Sequence, residues 1–382
     1  MTFVSCKSHA RRRFVASGAI AAGLLLGTMA AFGATLASDG VLITLKPSQV
    51  ASFDARFSVT AVRLNPHRDL YLVTSTNGTS DRQLLLEIEA SATGGHASLN
   101  TYIRMDGQST ASVLNGQSTA SVLNGQSTAS VLNDLAVMAA CYPDFGHGTA
   151  VAGLIHLVAP EALILPIKAF GPDGSADAAS IYQSITYAID QHVNVINLSF
   201  SAVDTTGDIR GAIAEAVSDG IVVTAAAGNA NTAAAVYPAS LEGVTGVGAV
   251  DGTAPHTTFP KADFSNFDPG VGQIVDVDVA APGVSLFTTY PGFGLLWSVS
   301  TGTSFSVPLV SGEAALLVQR GANGAASRGD IENSANPAIA GDAGGGLGHG
   351  LIAVTEALGL APGGNSSGHG HGFGRGHDTG RR

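Results

Sequence analysis

Thiols are nearly absent. Cys6 and Cys141 are the only cysteines in 382 residues. Cys6 falls in an N-terminal stretch with the character of a leader, so the remainder carries one thiol and no internal disulfide is expected. No pattern around Cys141 places a nucleophile there, and a small buried cysteine is its ordinary reading. Charge is scarce as well: charged residues make up 12% of the chain, with 18 Lys and Arg against 29 Asp and Glu. Phosphate recognition needs clustered bases, so nucleic acid is excluded as a partner. No carboxylate cluster has the spacing of a calcium loop. His369, His371 and His377 have no cysteine or carboxylate arranged around them. No metal and no cofactor is expected.

The basic residues that do cluster lie at the start. Lys7 and Arg11-Arg12-Arg13 precede an apolar run from Phe14 to Phe32. Ala31-Phe32-Gly33-Ala34 and Thr35-Leu36-Ala37 both offer small-residue exits. Residues 1–37 therefore read as an export signal, and Arg11-Arg12-Arg13-Phe14-Val15 resembles a twin-arginine leader. The expected location is secreted, periplasmic or cell-surface, with no stable membrane association once the leader is removed. Oligomeric state is not legible.

Residues 38–106 read as a small α+β segment. Val41–Leu45 and Tyr71–Thr74 are strand-like, Pro47–Phe57 and Asp81–Ala90 are helical, and Thr101–Ile103 closes the unit. Residues 107–133 are three identical copies of Gly-Gln-Ser-Thr-Ala-Ser-Val-Leu-Asn. Solenoid repeats fix only their core positions, and three short units bury too little to stand alone. A surface linker is the reading. Residues 362–382 are a Gly- and His-rich tail of disordered composition.

Residues 134–361 alternate helix and strand. His147–Leu157, Ala176–Gln191, Ile209–Ser218 and Phe305–Gln319 are helical. Leu163–Ala169, Val193–Ser199, Ile221–Ala225, Val244–Val250 and Val275–Val279 are apolar strands. Near-continuous apolar strands between helices imply an α/β fold with a mostly parallel sheet covered on both faces. Sites in such sheets collect at the carboxyl ends of strands.

Three stretches begin at such ends. Gly302-Thr303-Ser304-Phe305-Ser306-Val307-Pro308 places a serine beside unpaired helical N–H groups and a positive dipole end. Pro308 sits in about the first turn, where a missing N–H costs less than in mid-helix. A serine there is otherwise an N-cap. Upstream lie Gly146-His147-Gly148-Thr149-Ala150-Val151-Ala152-Gly153 and Ala226-Ala227-Gly228-Asn229. A hydroxyl, an imidazole of near-neutral pKa and an amide donor are the parts that acyl transfer requires. In order and content these blocks resemble those of the subtilisin-like serine peptidases. The resemblance implies a subtilisin-like three-layer sandwich and a peptide or protein substrate. It implies Ser304 as nucleophile, His147 as general base then acid, and Asn229, beside Gly228, as oxyanion donor. Ser199-Phe200-Ser201 resembles the strand that pairs with substrate backbone, where the family usually shows Ser-Leu-Gly.

One part is missing. The family's triad runs Asp, His, Ser, and its aspartate ends an apolar strand in a V-x-V-x-D-[ST]-G pattern. Asp106, in Ile103-Arg104-Met105-Asp106-Gly107, is the nearest imitation, while Asp134 and Asp144 follow no strand. The repeats occupy the place where that strand belongs. The expectation is a serine endopeptidase impaired by loss of the aspartate, or an inert relative that binds peptides in the retained cleft.

Overall fold

The computed structural model describes residues 38–91, 96–104, 112–113, 146–171, 174–253, 259–268, 277–290, 297–337 and 346–360. The leader, most of the repeats, the tail, Cys141, Asp106, Asp134 and Asp144 lie outside the described residues.

The first unit is an antiparallel sheet of β1 (Ser38–Thr44), β2 (Val59–Arg63), β3 (Leu70–Ser75) and β4 (Ala97–Arg104). Helices α1 (Val50–Phe57) and α2 (Asp81–Ala90) cover it, around Val41, Ile43, Phe53, Tyr71, Leu84 and Ile88. Strand β2 escapes a sequence reading because Val59-Thr60-Ala61-Val62-Arg63 is short and only two of its residues are branched hydrophobics. The sheet order is β2-β3-β1-β4, and β4 continues onto β6 (Ser175–Asp177) of the second unit.

The second unit is the expected α/β sandwich. Its centre is a parallel sheet, β10-β9-β8-β7, of β7 (Val195–Leu198), β8 (Val222–Ala226), β9 (Val244–Val250) and β10 (Val279–Pro282). On one face lie α3 (His147–Val158) and α6 (Thr303–Gln319), packed on Val222, Ala226, Val247 and Val279. On the other lie α4 (Ala178–Asp190) and α5 (Gly207–Ser218), packed on Ile196, Leu198, Val223 and Ala225. Successive strand residues face opposite layers, which is why apolar residues fill both faces of these strands, with Asn197, Thr224 and Thr245 as polar exceptions. Side-chain caps start the outer helices: Asp177 accepts from Ser180 N at 2.7 Å and Thr206 from Ile209 N at 3.3 Å. A smaller sheet joins β11 (Leu286–Thr289), β12 (Trp297–Ser300) and β5 (Ser112–Val113), the last within the first repeat. Helices α7 (Gly324–Ser334) and α8 (Val354–Ala357) follow α6.

Leu163–Ala169, expected as a strand, forms none. Leu163 is fully exposed, and Ile164, Leu165 and Ile167 are each more than a third exposed. Pro166 has no N–H to give to a ladder. The edge strand β7 has no neighbour on its outer side among the described residues. The strand expected over Val275–Val279 starts only at Val279, and residues 271–276 lie outside the description.

The small unit is docked on α4 and α5. Arg68 pairs with Asp190 at 2.8 Å and with Glu215. Asn100 Oδ1 accepts from Ala179 N at 2.9 Å in the first turn of α4, and Ser98 donates to Asp208 in the first turn of α5 at 3.1 Å.

Glu313, in the middle of α6, is fully buried, and neither carboxylate oxygen has a hydrogen-bond partner among the described residues. Burial, with a smaller push from Glu356, raises its pKa from 4.5 to about 8. Between those two values the unfolded chain gives up a proton that the folded chain keeps, so stability falls as pH rises. Below that window the group is neutral in both states and adds no pH dependence. Glu313→Gln removes the slope, worth at most about 1.4 kcal/mol per pH unit. Its melting temperature should match the parent's at pH 4 and exceed it at pH 8. Equal melting temperatures at both pH values refute the assignment.

Candidate active site

His147 is the first residue of α3, and Gly146 before it takes a left-handed φ of 84°. The imidazole Nε2 lies 3.2 Å from the Ser199 carbonyl oxygen, just past the end of β7. The ring also packs on Phe305, with centroids 5.1 Å apart. Phe305 follows Ser304, so the imidazole is held between the end of β7 and the start of α6. A carbonyl only accepts, so in this ring orientation Nε2 carries the proton. Turning the ring over about Cβ–Cγ exchanges Nε2 and Cε1 without moving the ring from its place. A base at Nε2 uses that second orientation.

Ser304 is the second residue of α6 and is 5% exposed. Its carbonyl accepts from the Ser199 hydroxyl at 2.8 Å. Gly302, just before the helix, has φ 144°, a conformation that side chains disfavour. A Cβ there would meet Asn229 Nδ2 at 3.7 Å and Oδ1 at 3.8 Å, so the amide lies beside the glycine.

Asn229 follows β8, and its Oδ1 accepts from both Thr303 N and Thr303 Oγ1 at 2.9 Å. The oxygen is committed to the helix start, and the amide nitrogen is the donating end of the side chain. Gly228 donates its N–H to Thr303 Oγ1 at 3.3 Å. Its φ of 98° and the proximity of Asn266 explain the residue type: a Cβ would fall 2.5 Å from Asn266 Nδ2. Asn266 in turn accepts from Ala230 N and Thr232 N at 3.0 and 3.2 Å, holding the loop that carries Asn229.

The structure thus gathers Ser304, His147, Asn229, Gly228 and Ser199 at the carboxyl ends of β7 and β8. Ser201 is buried behind Gly228, its Oγ 3.5 Å from where a Cβ on that glycine would lie. Phe200 points elsewhere, into the α4–α5 layer, where its ring meets Phe170 at 5.1 Å. The roles of three contributors escape a motif reading. Thr303 bridges Gly228 and Asn229 to the helix, and its only signal was its place before Ser304. Asn266 supports the Asn229 loop from a distant segment. Ser199 is an anchor through both its carbonyl and its hydroxyl. Neither Asn266 nor the two-sided role of Ser199 leaves a trace in spacing.

Residues 138–344, more than half the chain, match the Subtilase family. Subtilisin Savinase of Lederbergia lenta is 34% identical over 184 residues, 46% of this chain and 64% of that protein. Thermitase of Thermoactinomyces vulgaris is 35% identical over 201 residues, 50% of this chain and 67% of that protein. Against the alkaline protease of Alkalihalobacillus alcalophilus the identity is 34% over 46% of this chain, and only 45% of that protein is spanned. Among solved structures, fervidolysin from Fervidobacterium pennivorans superposes with a TM-score of 0.67 at 22% identity. That likeness covers 86% of this chain and 61% of fervidolysin, and it shows the fold. With these matches, and with three motif blocks at the ends of one parallel sheet, the chain belongs to the subtilase family of serine peptidases.

Proposed function

We propose that the protein is an exported serine endopeptidase that cleaves peptide bonds through Ser304. The observation that carries the reading is the pair of contacts made by Ser199, which tie His147 and the Ser304 helix to one residue. Ser304 Oγ attacks the scissile carbonyl while His147 takes its proton and then returns it to the leaving amine. The Asn229 amide nitrogen, over Gly302, steadies the developing oxyanion together with N–H groups at the start of α6. Gly228 keeps the strand end open to substrate backbone, and Ser199–Ser201 is the segment along which that backbone pairs. Export rests on the leader-like residues 1–37. Among the described residues, no helix is long and apolar enough to cross a membrane.

Turnover is slow in this reading, because no segment of the sequence carries the V-x-V-x-D pattern of the triad aspartate. That carboxylate holds the imidazole tautomer and stabilises the imidazolium. Its removal alone from subtilisin, a member of this family, costs about 3 × 10⁴ in kcat. A protein lacking it retains the nucleophile and the oxyanion donors, and at the limit becomes an inert peptide binder.

The α+β segment, residues 38–106, covers the second unit in this reading and ends as a strand on it. Tyr102, Ile103 and Arg104 pair antiparallel with Asp177, Ala176 and Ser175, as an extended peptide would add to a sheet edge. The repeats from residue 107 connect it to the peptidase unit.

A fluorophosphonate probe on the protein tests the chemistry. Labelling should occur and vanish in Ser304→Ala, and labelling that persists in that variant sinks the assignment. Asn229→Ala should lower kcat by about 10² to 10³ with little change in KM. Residues 38–106 added as a separate chain should slow labelling of the protein from which they have been cleaved. An unchanged rate argues against a covering role.

A further inference from the structure

Pro308 leaves one carbonyl of α6 without its helical donor. In a regular helix the carbonyl of residue 304 accepts from the N–H of residue 308, and proline has none. The Ser199 hydroxyl fills that vacancy at 2.8 Å. The proton of Ser199 is thereby committed, so its oxygen can only accept from elsewhere. Asn197 Nδ2 donates to it at 2.8 Å. The amide of Asn197 then has its Oδ1 on the far side, where Ser311 Oγ donates to it at 2.9 Å. Ser311 Oγ lies 2.7 Å from Thr224 Oγ1. With the Ser311 proton on Asn197, Thr224 is the donor in that pair. Thr224 is fully buried, and Ser311 is 2% exposed.

Two other acceptors are within reach, the Val307 carbonyl at 3.1 Å from Ser311 Oγ and the Ile196 carbonyl at 3.4 Å from Thr224 Oγ1. Both contacts are longer than the chain contacts of the same oxygens. Donation therefore runs one way, from Thr224 through Ser311, Asn197 and Ser199, to the carbonyl of Ser304. Thr224 and Ser311 sit within an apolar layer lined by Val222, Ala226, Val307 and Val310. Packing alone would be served by valine and alanine at these positions.

We propose that Thr224, Ser311 and Asn197 are positioning residues that set, through Ser199, where Ser304 stands relative to His147. The inference rests on the reading of Ser304 as the nucleophile. Ser199 is the only link in the chain that touches both halves, since its carbonyl meets the imidazole. If its hydroxyl loses its fixed acceptor role, the Ser304 carbonyl loses a donor and the first turn of α6 is free to shift. Displacements of about 1 Å at a reacting group can cost about 10² in rate.

The test compares Thr224→Val, which keeps the shape without the hydroxyl, with Thr224→Ser, which keeps the hydroxyl. Asn197→Asp is the third variant, since a carboxylate cannot donate to Ser199. Fluorophosphonate labelling rate, kcat and KM are measured on the full chain, along with melting temperature. Chains labelled with ¹³C′-serine and ¹⁵N-phenylalanine also report the Ser304 carbonyl directly, with the signal assigned by its loss in Ser304→Ala. Thr224→Val and Asn197→Asp should lower kcat and the labelling rate about tenfold at unchanged KM, and should move the Ser304 carbonyl signal. Thr224→Ser should leave both in place.

A Thr224→Val protein with kcat within twofold of the parent and an unmoved carbonyl signal overturns the proposal. So does a Thr224→Ser protein that falls as far as Thr224→Val. If the parent itself takes no label, the nucleophile reading fails, and the carbonyl signal alone decides whether the chain of donors sets the helix start.

Discussion

The hydrogen bond from the Ser199 hydroxyl to the Ser304 carbonyl is the contact on which the arrangement depends. It joins the end of an edge strand to the first turn of the central helix, and it exists because Pro308 cannot supply the helical N–H. A carbonyl buried without a donor costs about 1–3 kcal/mol, so a replacement must come from a neighbouring element. Once Ser199 supplies it, the register between β7 and α6 is no longer set by apolar packing alone. The carbonyl of the same residue then fixes where the imidazole can lie. On the other side of the helix start, Thr303 does the equivalent for Asn229, giving both its N–H and its hydroxyl to one amide oxygen. The two contacts hold the helix start from β7 and β8, adjacent parallel strands.

Adjacent strands also explain why the site is assembled from distant parts of the chain. A parallel sheet requires a crossover between each strand and the next, so neighbouring strand ends belong to segments far apart in sequence. Ser199 and Asn229 follow two such strands, and His147 and Ser304 open the two helices packed on the sheet. Outer helices α4 and α5 contribute none of these residues. Their role is to cover the other face of the sheet and to receive the small α+β unit, whose Asn100 bonds the first turn of α4 and whose Ser98 bonds that of α5.

Much of this was legible in the sequence. The α/β order, the helices at His147 and Phe305, the strand at Val244–Val250 and the helix at Asp81–Ala90 are stated by apolar period and by punctuation. The motif blocks named the residues that converge. What was not legible is of two kinds. Polar side chains that bond across elements, such as Thr224 with Ser311 or Asn266 with Ala230, carry no local signature, because their partners are 87 and 36 positions away. The segment Leu163–Ala169 was misread for a different reason. Its composition is that of a buried strand, but a strand needs a neighbour as well as a composition, and Pro166 and the unpaired edge of β7 leave it exposed.

The exposed segment lies between the helix that begins with the imidazole and the strand that leads to Ser199. Ala159, at the end of α3, and Phe170, beside Phe200 past the end of β7, bracket that run. The nucleophile and the amide donor are held by contacts with β7, β8 and α6. The imidazole is fixed by Ser199 and Phe305 at one edge. Nucleophilic attack on a reactive phosphorus centre needs the held hydroxyl, the amide donor and an imidazole that takes one proton. Repeated turnover of an amide also needs the imidazole to keep one tautomer while it takes a proton and returns it. The two demands differ in what they ask of the imidazole, one proton taken or one taken and returned, so probe labelling and peptide turnover are separate readouts of the same residues.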